Sequence, residues 1–446
     1  MHMNIKKTAA VFAAAAALAA FSAVSYAEGN VAEVNGVGYD TLQKAVDAAG
    51  NGDTVKLIAD LTGDGKLTGA VTIAAEDNIT LDLGNHTIEI DPLNEERAFN
   101  VNGTMTVTGN GRITSTAMGA FDVKTGGSLT IESGTYEGEG YRRGDSGGGA
   151  TLRTRPGSTI KVCDGVVVNN EKCGALYSEG KTILGACELT SKSHNGLTAD
   201  DGGSLYSYCT QIMDEGELNG TIVRGVQGGL YVGGEATING GSYTAAELTD
   251  SSYSGNKAFY GLYISNGAKV TINDGTFMGG GASGGYCVLN SDNDTGMKLG
   301  SIIINDGIFN GKVGSLDSDK VRDAYGITAY GGKFTEDPMY FVDSSCVSMQ
   351  VNDEGKYVVI PVNNKATETG TYKTAVGDND TYDQMSLFEV SAVPNSVTYT
   401  VSDGTNNEDF IYNYASVEGI TKLGLIVTDI PSAQTVTVEL GGQNNE

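Results

Sequence analysis

The chain has 446 residues and carries 28 lysines and arginines against 55 aspartates and glutamates, a formal net charge of −27. Nucleic acids and anionic membranes are also negatively charged, so this field argues against both as partners. Glycine supplies 64 residues and proline only 6. We therefore expect the glycines at ordered corners between strands, because disordered glycine-rich chains carry more proline.

Residues 1–27 predict a cleaved signal peptide. Lys6 and Lys7 precede an apolar run over 8–24, and the tripeptide SYA at 25–27 places small residues where a signal peptidase cuts. No later segment reaches the roughly 20 apolar residues of a membrane span. The sequence thus predicts a secreted, extracellular protein without membrane insertion, whose attachment to any cell surface would be non-covalent.

A short helix is predicted near the start of the mature chain, over about 41–49. Asp40 or Thr41 precedes it as a cap, and Gly50 and Gly52 follow it. Its apolar residues recur at helical spacing; they are Leu42, Ala45, Val46 and Ala49. We interpret this helix as a cover for the open end of the first coil, because an uncovered β-helix end exposes both core and strand edges.

A repeated phrase determines the predicted architecture of the central region. GLYISNGAKVTINDGTF at 261–277 returns in degraded copies that begin at Gly119, Gly149 and Gly229. Each copy has an apolar couple with one residue between, a glycine turn, a β-branched strand and a second glycine turn. The minimal spacing is 22 residues, which predicts an all-β solenoid, a parallel β-helix of about eleven coils. A β-propeller is the alternative, but it needs repeats of about 40 residues.

The repeat also predicts which side chains face inward, since alternate strand residues point to opposite faces. The predicted inward couples are Phe99/Val101, Phe121/Val123, Ala150/Leu152, Ala175/Tyr177, Leu197/Ala199, Leu230/Val232, Leu262/Ile264, Cys287/Leu289 and Ile327/Ala329. The β-helix with its cap is predicted over 28–360. Alternating runs after residue 360 predict a small β-sandwich domain over 361–446.

Two parts of the chain resemble a known group of proteins. GYDTLQKAVDAAGNGDTVKL at 38–57 followed by NITLDLGNHTI at 78–88, and GGKFTEDPMYFVDSS at 331–345, are similar to secreted, pectin-lyase-like right-handed parallel β-helix proteins of anaerobic Gram-positive bacteria. The resemblance implies right-handed coils over roughly residues 33–360. It does not imply one reaction, because the group contains polysaccharide lyases, glycosidases and non-catalytic surface adhesins.

A polar cluster marks the middle coils. Lyases of the resembled fold use cations bound to acidic side chains and an arginine or lysine as base, whereas its hydrolases use aspartates. If the protein is an enzyme, the resemblance therefore implies as catalytic residues Arg153, Arg155, Glu179, His194, Asp200 and Asp201. Carboxylates on adjacent coils could bind Ca²⁺, and this candidate site consists of Glu179, Asp200 and Asp201. The alternative is that these are solvated charges in turns.

Two tyrosines form the second candidate site. Tyr231 and Tyr263 are predicted to point outward on neighbouring strands, where their rings could support sugar rings. Together with Arg153 and Asp200 they are the predicted ligand-binding residues. Cross-strand packing under a loop explains the tyrosines equally well.

The six cysteines are Cys163, Cys173, Cys187, Cys209, Cys287 and Cys346. Cys163, Cys187 and Cys209 follow turn glycines at similar distances and are predicted to stack on successive coils. We interpret them as buried thiols, with a disulfide as the alternative in an exported protein. The spacing of a zinc site is absent from the sequence.

Two main functions remain open from the sequence. The first is non-catalytic binding of a glycan or another extracellular polymer, as in an adhesin. The alternative is a polysaccharide lyase or glycoside hydrolase that acts on an acidic polysaccharide, and a purely structural role is a third possibility. Non-catalytic binding is favoured because the sequence contains no complete catalytic signature. HNGLTADDGG at 194–203 matches the paired aspartates of polygalacturonases only loosely. No cofactor is expected apart from the Ca²⁺ of the candidate site.

Overall fold

The computed structural model describes the greater part of the chain after the leader. The described residues are 29–90, 97–115, 118–139, 149–171, 173–192, 209–225, 228–245, 260–264, 267–279, 285–290, 299–314, 326–351, 356–361, 364–365, 370–375, 385–390, 394–401, 410–417, 420–427 and 435–443. From residue 360 onward the backbone alone is described.

Most of the chain forms a parallel β-helix in which the strands of successive coils stack in three rows. One row is a separate sheet of ten strands. In chain order it consists of Val71–Ile73, Phe99–Val101, Phe121–Val123, Leu152–Thr154, Leu176–Ser178, Thr210–Ile212, Gly228–Val232, Tyr260–Ile264, Tyr286–Asn290 and Lys312–Gly314. Each strand pairs in parallel with the strand of the next coil, so successive coils lie about 4.8 Å apart.

The other two rows form one larger sheet. Its first row consists of Thr54–Leu57, Asn78–Asp82, Thr104–Thr108, Ser128–Ile131, Thr159–Val162, Lys181–Leu184, Glu215–Leu218, the first halves of Glu235–Ala245 and Lys269–Met278, Ser301–Ile304 and Ile327–Ala329. Its second row consists of Thr87–Ile90, Arg112–Ser115, Thr135–Gly138, Val167–Asn170, Glu188–Ser191, Ile222–Gly225, the second halves of the same two long strands, Ile308–Asn310 and Lys333–Phe334. The first row has eleven strands among the described residues, in agreement with the predicted number of coils.

Alternation along each strand builds the core. In Thr104–Thr108, for example, Met105 and Val107 are buried while the threonines between them face outward. Tight corners need glycine where backbones meet: Gly241 has a φ of 104°, and a Cβ there would collide with the carbonyl oxygen of Thr221. The apolar side chains of all three rows therefore merge into one continuous core cluster.

An aromatic stack runs through the upper core. The rings of Tyr243, Phe277, Phe309 and Phe334 follow one another with centroid separations of 5.0, 5.2 and 4.6 Å and interplanar angles of 12°, 5° and 9°. The four rings occupy equivalent positions of the second row on consecutive coils. The coil repeat itself thus creates the stack.

An asparagine ladder follows the corner between the two rows of the large sheet. Each side-chain Nδ2 donates to the Oδ1 of the asparagine one coil earlier, at 2.7 to 2.8 Å. The ladder consists of Asn219, Asn239, Asn273 and Asn305. Asn219 in turn donates to Glu217. The ladder holds the turns of four consecutive coils together.

The inward couples are confirmed in four coils, shifted in three, and in Ile327/Ala329 they face the core as predicted but from another row. Phe99/Val101, Phe121/Val123, Leu230/Val232 and Leu262/Ile264 are fully buried and in register. In other coils the inward positions belong to Leu152/Thr154, Leu176/Ser178, Thr210/Ile212 and Val288/Asn290. Ile327 and Ala329 belong to the first row of the large sheet. Leu197/Ala199 lies outside the described residues, and Thr210–Ile212 is the strand of that coil.

The N-terminal helix, α1, extends from Leu42 to Ala48. The Thr41 hydroxyl caps it by accepting a hydrogen bond from the amide of Lys44 at 3.3 Å. Leu42, Ala45 and Val46 are buried in the core cluster. Beside the helix, Ala32–Val34 pairs in antiparallel fashion with Val37–Tyr39 and with Thr54–Leu57. A 3-10 turn covers Gly63–Gly65.

Gln43 of α1 makes a two-way contact with the first strand of the ten-stranded sheet. Its Nε2 donates to the carbonyl oxygen of Thr72 at 3.0 Å, and its Oε1 accepts from the Thr72 amide at 2.7 Å. The carboxamide thus satisfies both backbone groups of an edge residue, as a further strand would. This contact joins the helix directly to the sheet edge.

Replacing Gln43 by alanine is expected to lower the free energy of unfolding by about 1–2 kcal/mol, because two hydrogen bonds to the sheet edge are lost in a partly solvated place. Chemical denaturation of the residue 28–446 protein measures this. Lys44→Ala on the same helix is the control: it removes only the exposed ion pair with Asp40 and should cost less than about 0.5 kcal/mol. Equal effects of the two substitutions would contradict the edge role of Gln43.

The chain after the last coils first extends the large sheet and then forms two smaller sheets. Cys346–Val351 and Lys356–Pro361 form an antiparallel pair that joins the second row through Lys333–Phe334. Beyond them lie a four-stranded sheet of Asn364–Lys365, Met385–Val390, Ile420–Val427 and Phe410–Val417, and a three-stranded sheet of Gly370–Ala375, Thr435–Gln443 and Pro394–Val401. No helix in the described part of the chain has the length and apolar character needed to cross a membrane.

Candidate functional site: the outer side of the ten-stranded sheet

Two lines of side chains run across the coils on the outer side of the ten-stranded sheet. The outer row is formed by the middle residues of the strands, Asn100, Asp122, Arg153, Tyr177, Gln211, Tyr231, Tyr263 and Leu289. The edge row follows directly after the strands and consists of Asn102, Lys124, Arg155, Glu179, Met213 and Gly233. Both predicted sites contribute residues to these rows.

The outer row is buried although it points away from the core. Every member from Asp122 to Leu289 is less than a tenth exposed. In the edge row, by contrast, Lys124, Arg155 and Glu179 keep 35%, 34% and 31% of their side-chain surface exposed. The accessible charges on this side therefore lie in the edge row.

Asp122 is the centre of an ion-pair cluster. Arg155 donates to both of its carboxylate oxygens, at 3.0 and 2.9 Å, and Lys124 donates to one of them at 2.7 Å. Burial alone would raise the pKa of Asp122, but the hydrogen bonds from Arg155 and Lys124 and the nearby charge of Arg97 lower it to about 2. Asp122 is thus ionised throughout the neutral range.

Arg153 packs between an aromatic ring and a carboxylate. Its guanidinium lies 5.6 Å from the centroid of the Tyr177 ring and 3.8 Å from an oxygen of Glu179. Arg97 is buried nearby and donates to the carbonyl oxygen of Ala150. Burial lowers the pKa of Arg97 to about 10, against the opposing attraction of Asp122. The middle coils therefore hold several cations around two carboxylates within a strongly acidic protein.

Aromatic side chains occupy the upper coils of the same face. The Tyr231 and Tyr263 rings lie 5.4 Å apart, and Tyr260 lies 5.0 Å from Tyr263. The Tyr260 hydroxyl is 3.8 Å from the sulfur of Cys209. Together with Leu289 these residues form a cluster separate from the core. The prediction that Tyr231 and Tyr263 are outward neighbours is confirmed.

The two tyrosines do not form an open platform. Only 4% of Tyr231 and 3% of Tyr263 is exposed, which agrees with the alternative of cross-strand packing. Their role in ligand binding stays a prediction.

The structure brings some of the predicted polar residues together. Arg153, Arg155 and Glu179 are neighbours on two successive coils, as expected. Asp200, Asp201 and His194 lie in the segment 193–208, which is outside the described residues, so two of the three candidate Ca²⁺ ligands are not described. In the described part of the chain, Gln211 and Met213 follow Tyr177 and Glu179 in the two rows.

The register of the arginines also needs a correction. The sequence places Arg153 in line with Lys124, whereas the structure aligns Arg153 with Asp122 and Arg155 with Lys124. Sequence reasoning therefore missed the pairing of Asp122 with Arg155. The sequence does contain a signal for this pairing. The repeat copy that begins at Gly119 has a carboxylate, Asp122, and the next copy has Arg155.

The cysteines do not form the predicted ladder. Cys163 follows a strand of the first row, Cys187 precedes one of the second row, and Cys209 precedes one of the ten-stranded sheet. All six cysteines are free thiols. Burial raises the pKa of Cys187 and of Cys209 to about 12. Both thiols therefore stay protonated at neutral pH and are poor nucleophiles.

A metal site is not evident in the described residues, where no three His, Cys, Asp or Glu side chains are grouped to hold an ion. Glu179 contacts Arg153, which already supplies positive charge to this carboxylate. No protein-family model matches the chain, and no curated protein or solved structure matches it either.

Proposed function

We propose that the protein is secreted and binds a glycan or another extracellular polymer without cleaving it, in the manner of an adhesin. The observation that carries this proposal is the edge row, in which Lys124, Arg155 and Glu179 present accessible charges on three successive coils. Because the coils repeat every ~4.8 Å, a polymer laid along the helix axis would meet one such side chain per coil.

The geometry of the cluster suits binding better than acid–base chemistry. Asp122 is ionised at neutral pH and is held by Arg155 through two parallel hydrogen bonds, whereas a general acid needs a raised pKa. The same bonds fix the guanidinium of Arg155 before a ligand arrives. A pre-ordered cation loses less side-chain entropy when it binds.

The finer features of the architecture belong to the same proposal. Right-handed coils are supported by the strong preference for right-handed connections between parallel strands of one sheet. An end-capping role for α1 is supported by its buried face and by the contact of Gln43 with Thr72. The two small C-terminal sheets support a β-sandwich over 361–446. With the leader at 1–27, these features fit the resemblance to secreted pectin-lyase-like proteins.

The test incubates the residue 28–446 protein with polygalacturonate plus Ca²⁺ and with a panel of neutral glycans. We expect polygalacturonate to be retained, with no unsaturated chain ends that absorb in the ultraviolet and no new reducing ends. Because two accessible cations are removed, Lys124→Gln/Arg155→Gln should weaken this retention by about tenfold or more.

Lys181→Gln is the matched control. Lys181 is an exposed, ion-paired lysine of the large sheet, and its loss should leave retention unchanged. A thermal unfolding curve for each variant verifies that it is folded. New unsaturated or reducing ends would instead establish the lyase or hydrolase alternative, and unchanged retention by the double variant would exclude the edge row as the binding surface.

A further inference from the structure

Threonines line up on the outer face of the first coils of the large sheet. Thr54, Thr80, Thr106 and Thr130 are direct neighbours on four consecutive strands of the first row. A parallel line lies two residues earlier on the last three of these strands and continues to the next strand; it consists of Asn78, Thr104, Ser128 and Thr159. We call these eight residues the threonine face.

The hydroxyl groups of the threonine face are available to a ligand. All eight residues are exposed or half-exposed. In the part of the chain that the structure describes, none of the seven hydroxyls hydrogen-bonds to another protein group. This differs from the inner hydroxyls of Thr154, Ser178 and Thr182, which bond to one another.

The spacing of the threonine face is regular in two directions. Neighbouring strands lie ~4.8 Å apart, and alternate residues along a strand lie roughly 6.6 Å apart. Each hydroxyl both donates and accepts hydrogen bonds, and each threonine adds a methyl group beside it. Such a flat array of mixed polar and apolar groups corresponds to the surface of a sugar polymer, which also presents hydroxyls next to C–H groups at a repeating distance.

On the coils of Thr54 to Thr130 neither line carries a charge, although the chain has a net charge of −27. Lys161 follows on the strand of Thr159, and Lys56 and Asp82 lie two residues further along the first two strands. Further along the same line the next three positions belong to Lys161, Ile183 and Glu217, before threonine returns at Thr237 and Thr271. The β-propensity of threonine explains its presence on a strand, but the same preference applies to those later coils. Two uncharged lines of side chains suit a neutral ligand, because none of these side chains carries a charge that has to be desolvated when the ligand meets them.

We infer that the threonine face binds a neutral, hydroxyl-rich polysaccharide. This surface belongs to the large sheet and is separate from the edge row of the ten-stranded sheet. The protein then has two binding faces of different chemistry, a charged one and a neutral one, on one rod. The inference does not depend on the charged face.

The test uses valine substitutions, which remove hydroxyls but keep the shape and β-propensity of threonine. The residue 28–446 protein is incubated with microcrystalline cellulose, with an insoluble β-1,3-glucan and with polygalacturonate. We expect retention on at least one neutral polymer. Thr80→Val/Thr106→Val/Thr130→Val should weaken that retention by about tenfold or more, since each lost hydroxyl removes one hydrogen bond to the polymer.

Thr237→Val/Thr271→Val is the matched control, because both threonines lie in the same line on later coils. Its retention should equal that of the unmodified protein. Failure to retain either neutral polymer would overturn the inference, and so would wild-type retention by the triple variant.

The charged variants separate this inference from the proposed function. Lys124→Gln/Arg155→Gln should keep its neutral-polymer binding, and the triple valine variant should keep its polygalacturonate binding. If the folded triple variant loses both polymers equally, the threonine face is not a distinct neutral site and the inference is wrong, while binding by the protein as a whole stands.

Discussion

Phe277→Ala is expected to lower the free energy of unfolding by about 3–5 kcal/mol, the usual cost of removing a large aromatic ring from a core. Phe277 is fully buried and stacks on Tyr243 at 5.0 Å and on Phe309 at 5.2 Å. The substitution removes both ring contacts and leaves a cavity in the middle of the stack. A rigid solenoid cannot close that cavity without disturbing the coils on either side.

Thr276→Ala is the control for Phe277→Ala, since Thr276 precedes it and points outward on the same strand. It should cost less than about 1 kcal/mol. Phe277→Leu should fall between the two, because it restores part of the lost volume. Urea denaturation followed by circular dichroism measures all three. Equal destabilisation by Thr276→Ala and Phe277→Ala would show that the stack contributes little.

Asp122→Asn is expected to destabilise the protein by about 2 kcal/mol at pH 7, less than a fully buried pair because Lys124 and Arg155 remain partly solvated. The substitution removes the carboxylate that Arg155 and Lys124 share and leaves the buried Arg97 without that attraction. The geometry of Arg155 in the edge row also depends on it. Weaker polygalacturonate retention should therefore accompany the loss of stability.

The effect of Asp122→Asn has a defined pH dependence. The pKa of Asp122 is lowered to about 2 in the folded protein, whereas an aspartate in an unfolded chain has a pKa of about 3.9. A carboxylate whose pKa is lowered by folding stabilises the folded protein fully at pH values above its pKa in the unfolded chain. This stabilisation is lost as the pH falls through its pKa in the folded protein. The difference between wild type and variant should thus be full above about pH 4 and shrink towards pH 2.

Urea denaturation at several pH values between 7 and 2 measures this difference. Glu132→Gln is the control, because Glu132 is an exposed carboxylate of the same coil. It should change stability by no more than about 0.5 kcal/mol at any of these pH values. A difference for Asp122→Asn that stays constant down to pH 2 would contradict the assignment of Asp122 as the ionised centre of the cluster.

The register of strand pairing between coils could be predicted from the sequence at some positions and not at others. The pairing of Phe99 with Phe121 and of Tyr231 with Tyr263 follows from the pattern alone, because each copy repeats the same local arrangement of couple and turn. Tyr177 was predicted to point inward, yet Leu176 takes the inward position above Leu152. A shift of one residue moves every side chain of a strand to its opposite face.

The candidate site depended on these shifts. A two-residue correction places Arg153 beside Asp122 and Arg155 beside Lys124, and it creates the ion-pair cluster that the sequence did not reveal. Insertions between coils cause these register errors, because the local sequence does not show at which residue the insertion ends and the next strand begins.

The sequence by itself determined the solenoid, its number of coils and the N-terminal helix, because alternation, glycine turns and helical spacing are local properties of the chain. Only the tertiary structure decided which coils place which residues side by side: Asp122 under Arg155, and four threonines in one line from Thr54 to Thr130. These neighbours are many residues apart along the chain. Their contact follows from the pairing of whole strands, which depends on backbone hydrogen bonds and core packing across the entire coil.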